Sequence, residues 1–202
     1  SFTLIIVMLF LLTAGWMPAH AQTQESQYFN ETGHNVTGEF LAFYRKNPNA
    51  TFLYGYPITE SFLSKDGKRV QYFQRARFEL HTNLPEGQRV QLTSLGRETY
   101  TTSGKLTPNN SMGCRTFTET GFSVCFAFLE FFEKYGGTAQ FGFPISEFEY
   151  HENKLVQYFE KTRLEWQPSK AEGQRVVVSD LGRVYFDKLR EDPALLNPAS
   201  PI

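Results

Sequence analysis

Residues 69–100, RVQYFQRARFELHTNLPEGQRVQLTSLGRETY, return at 155–186 as LVQYFEKTRLEWQPSKAEGQRVVVSDLGRVYF. Val70-Gln71-Tyr72-Phe73 recurs as Val156-Gln157-Tyr158-Phe159. Arg77-Phe78-Glu79 recurs as Arg163-Leu164-Glu165, and Leu95-Gly96-Arg97 as Leu181-Gly182-Arg183. A duplication of this kind constrains the fold more than any single motif does. One supersecondary unit must be built twice, and a residue shared by both copies must satisfy the same local geometry in each. Most of the shared residues are turn formers or alternating strand residues, so the duplicated stretch speaks first of architecture.

Reading outward from it gives the rest of each copy. Residues 38–46 place Phe40, Phe43 and Tyr44 on one face and predict a short helix that ends at Asn47-Pro48. Its counterpart is Phe128-Leu129-Glu130-Phe131-Phe132-Glu133-Lys134, with Gly136-Gly137 as the stop. Tyr54-Gly55-Tyr56-Pro57 and Phe141-Gly142-Phe143-Pro144 are tight turns that leave their rings free to pack. Thr59 and Glu60 are expected to start a brief helical turn, and Asp66-Gly67 marks a hairpin. Residues 70–75, 77–80 and 89–93 then read as strands. The expected fold class is α+β, two homologous small modules, each a short helix plus a small antiparallel sheet, preceded by an N-terminal transmembrane or signal helix. The expected divisions are 1–21 (signal peptide or membrane anchor), 22–32 (linker), 33–100 (first module), 101–118 (linker), 119–187 (second module) and 188–202 (a Pro-rich tail, loose or docked on a partner).

The N-terminal expectation rests on residues 2–16, FTLIIVMLFLLTAGW, followed by Ala19-His20-Ala21 and a polar Gln22-Thr23-Gln24-Glu25. Ala-x-Ala before a polar start fits a signal-peptidase site. The same run, with Trp16 at an interface, also fits an uncleaved anchor, although it is slightly short for a full span. Either way the remainder lies outside the cytoplasm: membrane-anchored and periplasmic or at the cell surface, or secreted if the segment is cleaved. There the two cysteines, Cys114 and Cys125, are expected to pair. The near balance of 20 Lys and Arg against 21 Asp and Glu carries no nucleic-acid footprint.

No catalytic or metal constellation stands out, and no cofactor is called for. Glu79 and Glu165 each have an Arg two residues away on the same strand face, which reads as a structural pair rather than as the paired carboxylates of a glycosidase. His81 recurs as Gln167 and His34 as Phe122, so no histidine is kept in both copies. Ser94 and Ser179 do not sit in a nucleophile elbow. The candidate contact surface is Tyr72 and Tyr158 with Arg89 and Arg175, a polar and aromatic shelf suited to sugar. Departures between the copies, at Phe122, Cys125 and the polar-to-aromatic exchanges, are the other place for specific contacts.

The Tyr-Gly-Tyr-Pro and Phe-Gly-Phe-Pro turns, with VQYF, Arg-x-Glu and Leu-Gly-Arg, resemble the tandem aromatic Gly-Phe-Pro repeat modules of secreted and surface proteins of filamentous phototrophic and related bacteria. They resemble more loosely the Leu-Gly-Phe-Pro repeats of bacterial cell-wall proteins, where this chain has Tyr or Phe in place of Leu. The first resemblance covers residues 33–186. It implies a non-catalytic module associated with a surface or wall. Together these features lead to two expectations. The first is a non-enzymatic structural subunit of a membrane-associated assembly, with protein partners and a membrane contact through its N-terminal helix. The alternative is a secreted glycan or cell-wall binding repeat protein.

Overall fold

The structure, a computed structural model, describes residues 25–106, 108 and 111–202. It is an α+β fold with several antiparallel sheets. The chain opens with a hairpin of β1 (Ser26–Phe29) and β2 (His34–Thr37), in which Phe29 faces His34. Part of the segment expected as a linker is therefore strand. The helix α1 (Gly38–Lys46) buries Phe40, Leu41 and Tyr44, while Glu39 in its first turn and Arg45 and Lys46 in its last suit the helix dipole. After α2 (Ala50–Leu53), Gly55 turns the chain with φ 76°, and Pro57 bridges to Phe73. Thr59 and Glu60 do not begin a helical turn. Thr59 is buried at a bend, and its Oγ1 accepts the Tyr72 N–H at 3.1 Å. The strands β3 (Phe62–Leu63), β4 (Arg69–Tyr72), β5 (Arg77–Leu80) and β6 (Val90–Leu92) then form a sheet in sequence order, and the short helix α3 (Leu95–Thr99) follows.

The second half follows the same order with additions. β7 (Gly104–Leu106) leads to a 3-10 turn at Ser111–Gly113 and to a hairpin of β8 (Cys114–Thr116) and β9 (Ser123–Cys125). Next come α4 (Phe126–Lys134) and α5 (Gly137–Phe141). A second sheet is built from β10 (Phe148–His151), β11 (Lys154–Tyr158), β12 (Arg163–Trp166) and β13 (Val176–Val178), and β7 is added on β10 as its fifth strand. The helix α6 (Leu181–Lys188) and a 3-10 turn at Pro193–Leu196 close the chain. The tail docks on its own chain: Ala199 N–H bonds to Gly33 O at 2.8 Å, and Asn35 Nδ2 bonds to Ser200 O at 2.9 Å.

The β4 and β11 strands explain why VQYF occurs twice. Both faces of β4 are covered, so Val70, Gln71, Tyr72 and Phe73 are all buried. A buried amide needs partners, and Gln71 Nε2 donates to Asn35 O and Thr59 O, both at 2.8 Å. Gln157 Nε2 donates in the same way to Ser123 O at 2.8 Å and Ser146 O at 3.0 Å. Each glutamine pins its β-hairpin and aromatic turn to its sheet. Around these polar pins lies one apolar cluster that runs through both copies, from Phe29, Phe40 and Phe78 to Phe132, Phe159 and Val178. Each large apolar side chain buried there stabilises by about 1.5–3 kcal/mol before its entropic cost.

Packing crosses the expected boundary. α3 belongs to the first copy in sequence but seats on the second copy's turn: a Cβ on Gly96 would lie 1.7 Å from Phe159 O, and Arg97 N–H bonds to Glu160 O at 3.1 Å. α6 does the reverse. A Cβ on Gly182 would lie 1.8 Å from Phe73 O, and Gly182 N–H bonds to Gln74 O at 3.0 Å. Tyr100 packs on Tyr158 and Phe186 on Tyr72, with ring centroids 5.0 Å and 5.3 Å apart. The copies exchange their closing helices, so the division at 101–118 is one of sequence and not of packing.

One expectation is corrected. Among the described residues no helix is long and apolar enough to cross a membrane; the longest, α1 and α4, have 9 residues each. The segment 1–21, on which the transmembrane or signal helix was expected, lies outside the described residues. The reading as a membrane-anchored subunit of a membrane complex, with its localisation and partners, loses its structural basis and is set aside.

Candidate functional site

The Arg–Glu pairs are structural cores of their sheets. Arg77 is fully buried. Its Nη1 lies 2.8 Å from Glu79 Oε1, its Nη2 lies 2.6 Å from Asp66 Oδ2, and its guanidinium sits over the rings of Tyr72 and Tyr185. Glu79 also takes Lys68 Nζ at 2.8 Å and Thr93 Oγ1 at 2.6 Å. Burial alone would raise the Glu79 carboxyl, but the bonds from Lys68 and Thr93 and the charges of Lys68 and Arg77 outweigh it and hold its pKa below the usual carboxylate range. Glu165 is held low in the same way, against its burial, by Gln167, Ser179 and Lys154. Among the described residues no group of three or more His, Cys, Asp or Glu is placed to hold a metal ion.

The expected shelf does not form as such. Tyr72 and Tyr158 are 0% and 2% exposed, covered by the exchanged helices and by chain that follows them. Burial pushes the Tyr72 hydroxyl well above its ordinary pKa. Arg89 turns to Leu84 O at 3.1 Å and to Glu39 at 3.4 Å. Arg175 does face a ligand-sized surface, and its guanidinium sits 5.7 Å from the centre of the Trp166 ring.

That surface is a groove of three adjoining depressions along α4. The first, of about 300 Å³, is apolar and is lined by Leu155, Phe126, Phe128, Phe148 and Trp166. Trp166 and Ala127 also line the second, of about 440 Å³, where Lys134, Glu130, Glu172 and Arg175 add charge. Tyr135 joins this to the third, of about 570 Å³, between the copies, where Phe43 and Tyr54 meet Asn47, Gln88, Gln140 and Lys161. Gln140 Oε1 accepts from the Tyr54 hydroxyl at 3.0 Å and from Asn47 Nδ2 at 3.3 Å, so amides of both copies are fixed at the cleft. Aromatic faces with charged and amide groups beside them suit a ligand with apolar and hydroxylated faces.

Three of the groove side chains sit where the copies differ. Trp166 stands at the position of Leu80, Tyr135 at that of Asn47, and Phe126 at that of Gly38. Gly38 and Phe126 both have φ 53°, a left-handed conformation that costs a non-glycine residue about 1–2 kcal/mol. Phe126 is nonetheless 47% exposed, its ring lying over Gly113. Strain held at an exposed ring points to use of that ring. Next to it the disulfide Cys114–Cys125 links β8 to β9 directly before α4. The pairing of these two cysteines was legible in the sequence. The groove was not, beyond the expectation that polar-to-aromatic exchanges mark contacts. No protein-family model matches the chain, and no curated protein matches it.

Proposed function

We propose that this chain is a non-catalytic binding protein for glycan or cell wall, working outside the cytoplasm. The groove along α4 carries the reading. Its rings offer faces for the C–H surfaces of sugars, and its amides and charges offer hydroxyl partners. The disulfide supports an oxidising compartment. The resemblance of the aromatic Gly-Phe-Pro turns to surface and wall-associated repeat modules supports the same reading, with the turns framing the site and Tyr54 of the first turn lining it.

The test is retention of the protein on insoluble peptidoglycan and on neutral and acidic polysaccharides. Trp166→Ala is expected to weaken retention about tenfold, the equivalent of about 1.4 kcal/mol, in a protein that loses some stability, because Trp166 packs against the core, but stays folded as read from its dispersed NMR spectrum. If no polysaccharide or wall fraction retains the protein, or if the substitution leaves retention unaltered, the reading fails.

A further inference from the structure

Comparison of the two copies exposes a second site, on the opposite face of the β10–β13 sheet from the core. In the first copy, three neighbours close off Arg77: the Asp66 carboxylate at 2.6 Å, Glu79 at 2.8 Å and the Tyr185 ring above the guanidinium. In the second copy, two of these have changed. Thr99 of α3 stands at the position of Tyr185, and its hydroxyl turns back to Leu95 O at 2.7 Å. The hairpin that carries Asp66 is one residue shorter. The first hairpin closes Ser64 to Lys68 through Gly67 at φ 79°, whereas the second pairs His151 with Lys154 across Glu152 and Asn153, both left-handed at φ 50° and 62°. Glu152 stands at the aligned position, but among the described residues it pairs with no cation.

Arg163 therefore loses the closing-helix ring and the hairpin carboxylate, and keeps the Tyr158 ring at 5.6 Å with a bond from Nη1 to the Tyr158 hydroxyl at 3.3 Å. Glu165 remains, at 3.5 Å, and Ser179 Oγ accepts from Arg163 Nε at 2.9 Å. In front of it lies a pocket of about 340 Å³ that Arg75, Lys154, Arg163 and Lys170 line against Glu165 and Asp180. The count leaves two positive charges in excess. Lys154 is paired with Glu165 at 3.3 Å and Arg75 with Asp180 at 3.1 Å, so the excess falls to Arg163 and Lys170. A guanidinium with N–H donors to spare at the wall of a basic pocket is suited to receive a carboxylate or phosphate oxyanion.

We propose that this pocket is an oxyanion-binding site, in which a carboxylate or phosphate of the ligand takes the part that the Asp66 carboxylate plays for Arg77. The site is separate from the α4 groove and does not depend on it. Phe52, which lines the pocket, also touches Tyr135 of the groove with ring centroids 5.2 Å apart, so an acidic glycan in the groove lies close to the pocket mouth.

The experiment titrates the isotopically labelled protein with galacturonate, inorganic phosphate and galactose and follows amide and side-chain NMR signals. Saturable shifts at Arg163, Ser179 and Lys170 are expected with galacturonate, phosphate or both, and none with galactose; which anion acts separates the carboxylate from the phosphate source. Arg163→Gln is expected to weaken the response at least tenfold. Thr99→Tyr, which rebuilds the ring lid of the first copy while keeping every charge, is expected to do the same in a protein whose folding is read from its dispersed spectrum. Trp166→Ala is expected to leave the anion response intact even as it weakens retention on polysaccharide. The absence of saturable shifts with either anion overturns the proposal, as does an unchanged response in Thr99→Tyr.

Discussion

At the scale of single residues, the duplicated Arg-x-Glu step sets the energetics of each sheet. A buried ion pair is weak grounds for net stability, but removing one partner strands the other. Arg77→Met leaves Glu79 and Asp66 without their shared cation and is expected to cost about 3–5 kcal/mol in chemical denaturation. Arg163→Met is expected to cost less, because Arg163 is partly exposed and only 3.5 Å from one carboxylate oxygen. The same carboxylates fix the acid limit. Glu79, Glu165 and Asp66 all have folded pKa values below their ordinary ones, so the stability they contribute is complete above the unfolded carboxylate range and is lost as pH falls through their folded values. Equilibrium denaturation from pH 7 to pH 2 is expected to show flat stability down to about pH 4 and then a steep decline. A decline centred near neutrality would contradict this assignment.

At the scale of elements, two glycines decide how the closing helices sit. Helix N-termini carry N–H groups without partners inside the helix. α3 and α6 satisfy one each on the opposite copy's turn, Arg97 to Glu160 and Gly182 to Gln74. Such approach leaves no room for a Cβ, which at Gly182 would overlap the Phe73 carbonyl oxygen. Gly182→Ala is accordingly expected to destabilise by about 3 kcal/mol, although alanine is the better helix former, and the loss is read from the denaturation midpoint. A gain in stability would show that the helix does not dock as described. The hairpin of β8 and β9 is secured differently. Its disulfide removes freedom from the unfolded chain, by about 2–4 kcal/mol for a bridge of ordinary kind, beside Phe126, an exposed phenylalanine held in left-handed backbone.

At the scale of the whole molecule, exchange makes the two copies one cooperative body. The apolar cluster is continuous across them, and the tail beyond α6 returns to the first hairpin. Calorimetric unfolding is expected to give a single transition with equal calorimetric and van't Hoff enthalpies, the signature of two-state behaviour. A fragment ending at residue 100 would carry α3 without its seat and Tyr72 without Phe186 and is expected to lack a dispersed NMR spectrum. Two separable transitions would show that the helix exchange contributes little to the coupling.

Much of the fold could be read from the letters. The alternation in VQYF, the spacing of Phe40 and Tyr44, and the Gly at each aromatic turn announce strand, helix and turn through local geometry, which acts within a few residues. The Arg–Glu pair followed from strand period alone. Other features were hidden because they depend on contacts remote in sequence. The segment before Thr32 looked polar and loose, yet it pairs with β2. Leu-Gly-Arg reads in the sequence only as a motif shared by both copies, yet it is a helix start whose glycine fits the other copy's carbonyl. Tyr72 and Tyr158 looked available, yet they are sealed by Phe186 and Tyr100 from the partner copy. The sequence by itself determined that one α+β unit is built twice and that its two cysteines are able to pair, because periodicity and turn chemistry are local. Only the tertiary structure decided that the units exchange their helices, that Trp166 and Tyr135 lie along one groove, and that Arg163 is open where Arg77 is closed, because each depends on which surface a distant segment comes to cover.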